Sequence, residues 1–288
     1  MNARPRLETN LNTTPEKDAA LIFLHIPKTG GSTVYKILEH YYSTAETATL
    51  DTPGVARFKT LSPAQRERYR LIQGHLHFGL HRFVPRASTY VTFLRRPIDR
   101  VLSFYRYARS TPDHYLYPLL TNERLDLKTL LVRKVTSELF NDQTRFLAGD
   151  EWENQEREVT RYALERAKAN LRNHFRVVGL LEEFDASLLL LYQAFGWPSR
   201  FYARENVTKE KPDNKSLDLE TRKLVEDANS LDIELYEHAR TLFEEQCCAA
   251  GEPFNANLRQ FRQLNQAYAR PVPRFVRSFR RTLRRMQN

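Results

Sequence analysis

The chain has 288 residues, of which 41% are hydrophobic and 28% charged, with a formal net charge of +10. That length buries a substantial core, and the composition is that of a globular protein, which excludes a disordered chain. The longest apolar runs, around Leu21–Ile26 and Leu188–Leu191, are core-sized and far short of a bilayer span. The charge is unevenly placed: seven arginines and no acid lie between Arg270 and Asn288, leaving +3 for the remainder. Polar residues follow Arg4 and Arg6 where an export signal has its apolar region. The adjacent Cys247 and Cys248 are badly spaced for a structural disulfide, so a reducing, cytoplasmic setting is expected.

Residues 1–18 are polar and read as a flexible N-terminus. Ala20–His25 reads as a buried strand, followed by a glycine loop and a helix over Val34–Tyr42. Residues 43–68 carry Pro53, Gly54 and Pro63 and read as a surface excursion, with a short helix after Ser62. Tyr69–His75 is a second strand. Thr89–Leu94, rich in β-branched and aromatic residues, is a third, and Pro97 then opens a helix carrying Ile98, Val101, Leu102 and Tyr105. Helices are predicted over 122–147 and 153–173, a strand over Phe175–Leu181, and an apolar helix over Phe184–Phe195 closed by Gly196-Trp197-Pro198. A basic loop, Asn206–Lys215, leads to a last long helix over 216–246. Strands alternating with helices predict an α/β fold around a parallel sheet covered on both faces. The main domain is expected over 19–265, with a basic amphipathic segment over 270–288. In that segment Phe275, Phe279, Leu283 and Met286 share one helical face among arginines. The pattern suits either a helix docked on the body or one lying on an anionic membrane surface.

Three constellations carry chemistry. His25-Ile26-Pro27-Lys28-Thr29-Gly30-Gly31-Ser32-Thr33 lies between strand and helix, where free amides, a helix dipole and a lysine converge as an anion needs. It is not a Walker sequence, because the lysine precedes the glycines. Arg95-Arg96-Pro97-Ile98-Asp99-Arg100 sits at the carboxyl end of the clearest strand, where open α/β sheets bind ligands. Arg95 is suited to a phosphate by its planar fork, and Ser103 lies about two turns into the helix that follows. Gln73-Gly74-His75-Leu76-His77 offers a histidine at a strand end. His75, His77 and His81 also allow a metal-ligand reading, and a structural histidine is a third option. His25 reads as packed beside the loop.

Together these stretches resemble the sulfotransferases that use 3′-phosphoadenosine 5′-phosphosulfate (PAPS), and most of all the carbohydrate sulfotransferases related to heparan sulfate 2-O-sulfotransferase, with their bacterial relatives. The resemblance continues through Asn141–Leu147, Val178–Phe184 and Asn206–Lys209, and so spans about 20–245. It implies a three-layer, P-loop NTPase-like fold. It also implies that Lys28, Thr29, Gly30, Gly31, Ser32 and Thr33 hold the 5′-phosphosulfate and that Arg95 and Ser103 hold the 3′-phosphate. Thr208 and Lys209 would add cofactor contacts. His75 is the matching position for the catalytic base, and Lys28 would stabilise the leaving phosphate. One departure is Arg96, where the family commonly has Asp. The function so implied is sulfuryl transfer from PAPS to a hydroxyl, on a carbohydrate, with no metal required. Acceptor loops would be 43–68 and 106–125, where Tyr105, Tyr107, Tyr115 and Tyr117 read as core and surface tyrosines in preference to rings stacked on sugars. A P-loop kinase or nucleotide hydrolase is the rival enzyme, and would need an acid for Mg²⁺ at a strand end. An anionic-surface or nucleic-acid binding protein led by the tail is a third reading; with the basic charge confined to one terminus, no nucleic-acid partner is expected.

Overall fold

The computed structural model describes residues 19–152, 158–202 and 217–269. The N-terminal stretch 1–18, Thr208, Lys209 and the arginine-rich segment therefore lie outside the described residues.

In chain order the elements begin with β1 (Ala20–Leu24), α1 (Gly31–Leu38), β2 (Thr47–Leu50), α2 (Thr52–Thr60), α3 (Pro63–Glu67), β3 (Leu71–Gly74), β4 (Ser88–Leu94) and α4 (Pro97–Ser110). There follow α5 (Tyr117–Thr121), α6 (Leu127–Val132), α7 (Asp142–Ala148), α8 (Arg161–His174), β5 (Phe175–Leu180) and α9 (Phe184–Phe195). The chain continues through α10 (Leu219–Ala228), α11 (Ser230–Ala249) and α12 (Pro253–Ala269). The strands form one parallel sheet in the order β2-β3-β1-β4-β5, flanked by helices in the expected α/β, three-layer arrangement. β1 is central and buried along its whole length, which is why its sequence is continuously apolar rather than alternating.

β3 and β4 flank β1 on either side, with Leu24 opposite Gly74 on one and Thr92 on the other. β1 and β3 therefore end level with each other, β4 runs two residues further to Leu94, and the loops leaving all three emerge on one rim. The main apolar cluster surrounds the sheet. A second, smaller cluster joins Val101, Leu102 and Phe104 of α4 to Leu116, Leu120, Leu130, Leu139 and Val225. It holds the 111–140 excursion against α4.

Several expectations needed correction. Residues 43–68 are not only a surface excursion: Thr47–Leu50 is the edge strand β2, with Ala48 as its one buried residue, too short to show alternation. Asp51 then caps α2 by accepting the Gly54 N–H, while the expected helix after Ser62 is present as α3 with a Ser62–Gln65 capping box. The helix predicted over 122–147 is broken. Asp126 caps a short α6, and Lys134 and Asn141 take left-handed backbone conformations that end one helix and restart the next. Of the expected 153–173 helix, residues 153–157 lie outside the described residues, and among the described ones the helix starts at Arg161. The long helix over 216–246 is two, parted at Asn229, whose side-chain amide donates to the Leu139 and Val225 carbonyls. α12, over Pro253–Ala269, had no counterpart in the sequence reading.

Candidate active site

The loop after β1 is built on a histidine. His25 lies under it, its Nδ1 hydrogen-bonded with the Tyr35 hydroxyl at 2.8 Å and its ring stacked on Phe23. A Cβ at Gly31 would stand 2.1 Å from His25 Nε2, so the α1 N-terminus approaches the ring as only glycine allows. Gly30 has φ +90° and Lys28 φ +72°, so the chain passes through two left-handed residues before the helix starts. The Gly31 and Ser32 amides open α1 and have no carbonyl four residues back within it, which leaves them for an anion. Burial, then the charges of His75 and Lys28, brings the His25 imidazole down to about 3, so the floor of the loop is neutral.

Not every loop residue presents its side chain. Thr29 is fully buried and its hydroxyl donates to the Ile26 carbonyl at 2.8 Å, so its side chain braces the turn. Thr33 is buried too, whereas Ser32 is exposed. The Lys28 ammonium lies 3.8 Å from the centre of the Tyr107 ring. Burial, and secondarily the Arg95 guanidinium, brings its pKa down to about 8.

Arg95 follows β4 and reaches the loop: its Nη1 donates to the Lys28 carbonyl at 3.2 Å, joining two motifs that are 67 residues apart. Burial weighs against its charge, partly offset by Asp99 and Glu182 and reinforced by Arg100 and Arg106. Ser103 is half-buried on α4, on one helical stripe with Asp99, Arg106 and Tyr107. Asp99 and Arg106 act electrostatically on Arg95 and Tyr107 covers Lys28, so the stripe holding Ser103 borders both cation sites. Arg106 Nη1 is buried with no hydrogen-bond partner among the described residues. The atypical Arg96 has an exposed side chain, and its N–H is donated to Glu182 Oε1 at 2.9 Å.

The two candidate histidines part company. Gly74 ends β3 at φ +151°, and a Cβ there would stand 1.8 Å from the Leu50 carbonyl oxygen, so β2 crowds this position. His75, next in line, is solvent-exposed, with its ring centre 4.8 Å from that of His25. The surrounding protein lowers its pKa; Glu138 opposes this and Lys28 adds to it. His77 instead lies flat on Phe146 at 4.5 Å, and burial, first among several causes, holds it at about 4. Glu138 accepts the Tyr115 hydroxyl and a 3.3 Å bond from Thr136. His114 stacks on Tyr115 at 4.8 Å. Among the described residues, no three His, Cys, Asp or Glu side chains are grouped as metal ligands.

Three contributors were missed from the sequence. The sequence reads Tyr107 as a core or surface tyrosine and gives no sign of the ring against Lys28. Glu138 and Arg106 were not singled out, and only their place in the fold brings them to the site.

A parallel sheet with a glycine loop at the tip of its central strand, a lysine in the loop and an arginine just past the neighbouring strand is an arrangement suited to an anionic ligand. The chain belongs to the galactose-3-O-sulfotransferase family, whose model matches residues 2–272. It is 27% identical to heparan sulfate 2-O-sulfotransferase 1 of Gallus gallus over 211 residues, which is 66% of this chain and 58% of that protein. It is 28% identical to uronyl 2-sulfotransferase of Mus musculus over 201 residues, 65% of this chain and 47% of that protein. A protein-tyrosine sulfotransferase of Arabidopsis thaliana is 33% identical over 105 residues, 35% of this chain and 20% of the relative. The aligned stretch thus covers little more than half of the heparan sulfate relative and less than half of the other two.

Proposed function

We propose that this protein transfers the sulfuryl group of PAPS to a hydroxyl of a carbohydrate. The observation that carries this reading is the convergence, on three adjacent strand ends, of His75, the Lys28 loop and Arg95. The residues present fit the donor: loop amides and Lys28 for the 5′ end, Arg95 and Ser103 for a 3′-phosphate. His75, whose pKa desolvation holds below the ordinary imidazole value, accepts the acceptor's hydroxyl proton as the oxygen–sulfur bond forms. Lys28 and the Gly31 and Ser32 amides receive the charge left on the phosphate oxygen when the sulfur–oxygen bond breaks. Glu138, whose charge reaches His75, favours the imidazolium once the proton has moved. A carbohydrate acceptor is preferred to a tyrosine because the relatives aligned along about two-thirds of the chain are named for uronyl and heparan sulfate acceptors. The tyrosine relative covers about a third.

Calorimetric titration with 3′-phosphoadenosine 5′-phosphate, 5′-AMP, ADP and ATP tests the donor. The bisphosphate should bind well above the others, and Arg95→Ala should narrow its advantage over 5′-AMP by about tenfold or more, the worth of one charge-assisted contact. Equal affinities in the unmutated protein would overturn the assignment and return the kinase reading.

A further inference from the structure

We propose that Gln143 is the positioning residue for Arg95, and that Asp232 of the C-terminal helices holds Gln143 in place for it. The inference rests on the reading that Arg95 meets the 3′-phosphate.

The ladder of the sheet stops at Leu94, whose carbonyl accepts the Leu181 N–H at 2.8 Å. One residue on, Arg95 would have its main-chain donor and acceptor without a strand to pair with, at a cost if left unmet in a half-buried place. Gln143 supplies both partners. Its Oε1 accepts the Arg95 N–H at 3.0 Å and its Nε2 donates to the Arg95 carbonyl at 2.9 Å. The side chain is fully buried and lies like a one-residue strand beside the end of β4. A two-point clasp fixes the peptide on both sides of Arg95, and so the direction in which its side chain leaves the sheet.

Gln143 is itself fixed from the far end of the chain. Asp232 accepts the Gln143 N–H at 3.0 Å, and the Thr144 N–H and hydroxyl both at 2.7 Å. Asn141 answers by accepting the N–H groups of Leu231 and Asp232, at 2.9 and 3.0 Å. α7 and α11 therefore cap each other. Between them, Asp142 pairs with Arg100 of α4 at 3.1 Å, with both side chains buried. A continuous set of bonds, buried at Asp232 and half-buried at Arg95, thus runs from α11 through Gln143 to Arg95, and from Arg95 to the Lys28 carbonyl.

The test is Gln143→Met, which keeps volume and removes both bonds, assayed by titration with 3′-phosphoadenosine 5′-phosphate and with 5′-AMP alongside a thermal melt. The preference for the bisphosphate should shrink about tenfold, 5′-AMP affinity should change less than twofold, and KM for PAPS should rise with kcat nearly unchanged. Should Gln143→Met not fold, Gln143→Glu, which keeps the acceptor for the Arg95 N–H and loses the donor, is read in the same way. A retained preference, or an equal loss of affinity for both nucleotides, would show Gln143 to be core filling only. Absence of any preference in the unmutated protein would instead remove the 3′-phosphate reading itself, and this inference with it.

Discussion

Lys28 gives the loop a pH dependence that can be worked out before any assay is run. Its ammonium is brought down to about 8 by burial and by Arg95. It is charged below that pH and neutral above it. About ten in eleven molecules carry the charge at pH 7 and about one in eleven at pH 9, since each unit is a factor of ten. A phosphate monoester, with a second pKa of about 6, is already about ten-elevenths dianionic at pH 7 and essentially all dianionic at pH 9, so its own titration changes little across that range. If the charged lysine is the form that holds the anion, Kd for 3′-phosphoadenosine 5′-phosphate should rise about tenfold from pH 7 to pH 9. Binding at pH 8 should take up about half a proton, because the anion restores the charge that burial removed. Calorimetry in two buffers of different ionisation enthalpy, at fixed ionic strength, measures both quantities. The Tyr107 ring, 3.8 Å from the ammonium, favours the charged form, so Tyr107→Leu should move the fall in affinity to lower pH. A Kd constant within twofold from pH 7 to pH 9, with no proton uptake, would refute the reasoning.

Other outcomes follow from neighbouring residues. His75→Ala should leave nucleotide affinity near normal and lower turnover by about 10²–10⁴-fold, whereas His77→Ala should chiefly lower the melting temperature, its ring being packed on Phe146; steady-state kinetics and melts of both variants check this. Turnover should also fall on the acid side, at a pH below 6.5, as His75 takes a proton before the acceptor can give it one. Gly31→Ala should destabilise the fold by about 1–3 kcal/mol in urea titrations through its clash with the His25 ring, and His25→Ala in the same chain should recover part of the loss. Arg106→Met should weaken the bisphosphate more than 5′-AMP, because its buried Nη1 is unpaired beside Arg95; unchanged calorimetric affinities would remove it from the site.

What the sequence disclosed was what local order can carry. The loop from His25 to Thr33 and the turn from Arg95 to Pro97 are each contiguous, and a strand before and a helix after force their geometry. His25 was read as packing beside the loop, and the ring is buried there. What it withheld depends on distance along the chain. Gln143 meets Arg95 across 48 residues and Asp232 across 89, and no spacing rule relates them. The breaks at Lys134, Asn141 and Asn229 were hidden for a related reason. Lysine and asparagine do not announce a left-handed turn as glycine does, and here tertiary hydrogen bonds hold Asn141 and Asn229 in place. Thr29 shows the converse limit: a motif names the residue, but its hydroxyl faces inward.

The three strand tips also act as a ruler. Neighbouring strands lie about 4.8 Å apart, so β3 and β4, one on each side of β1, are held about 10 Å apart across the sheet. No loop can stretch that length without breaking the sheet. The 111–140 segment hangs instead on its own small apolar cluster with α4 and α10. The fold thus separates a fixed spacing of strand ends from a segment attached beside it; under the proposed function, a relative's 111–140 segment grafted here should change acceptor preference while leaving affinity for 3′-phosphoadenosine 5′-phosphate unchanged.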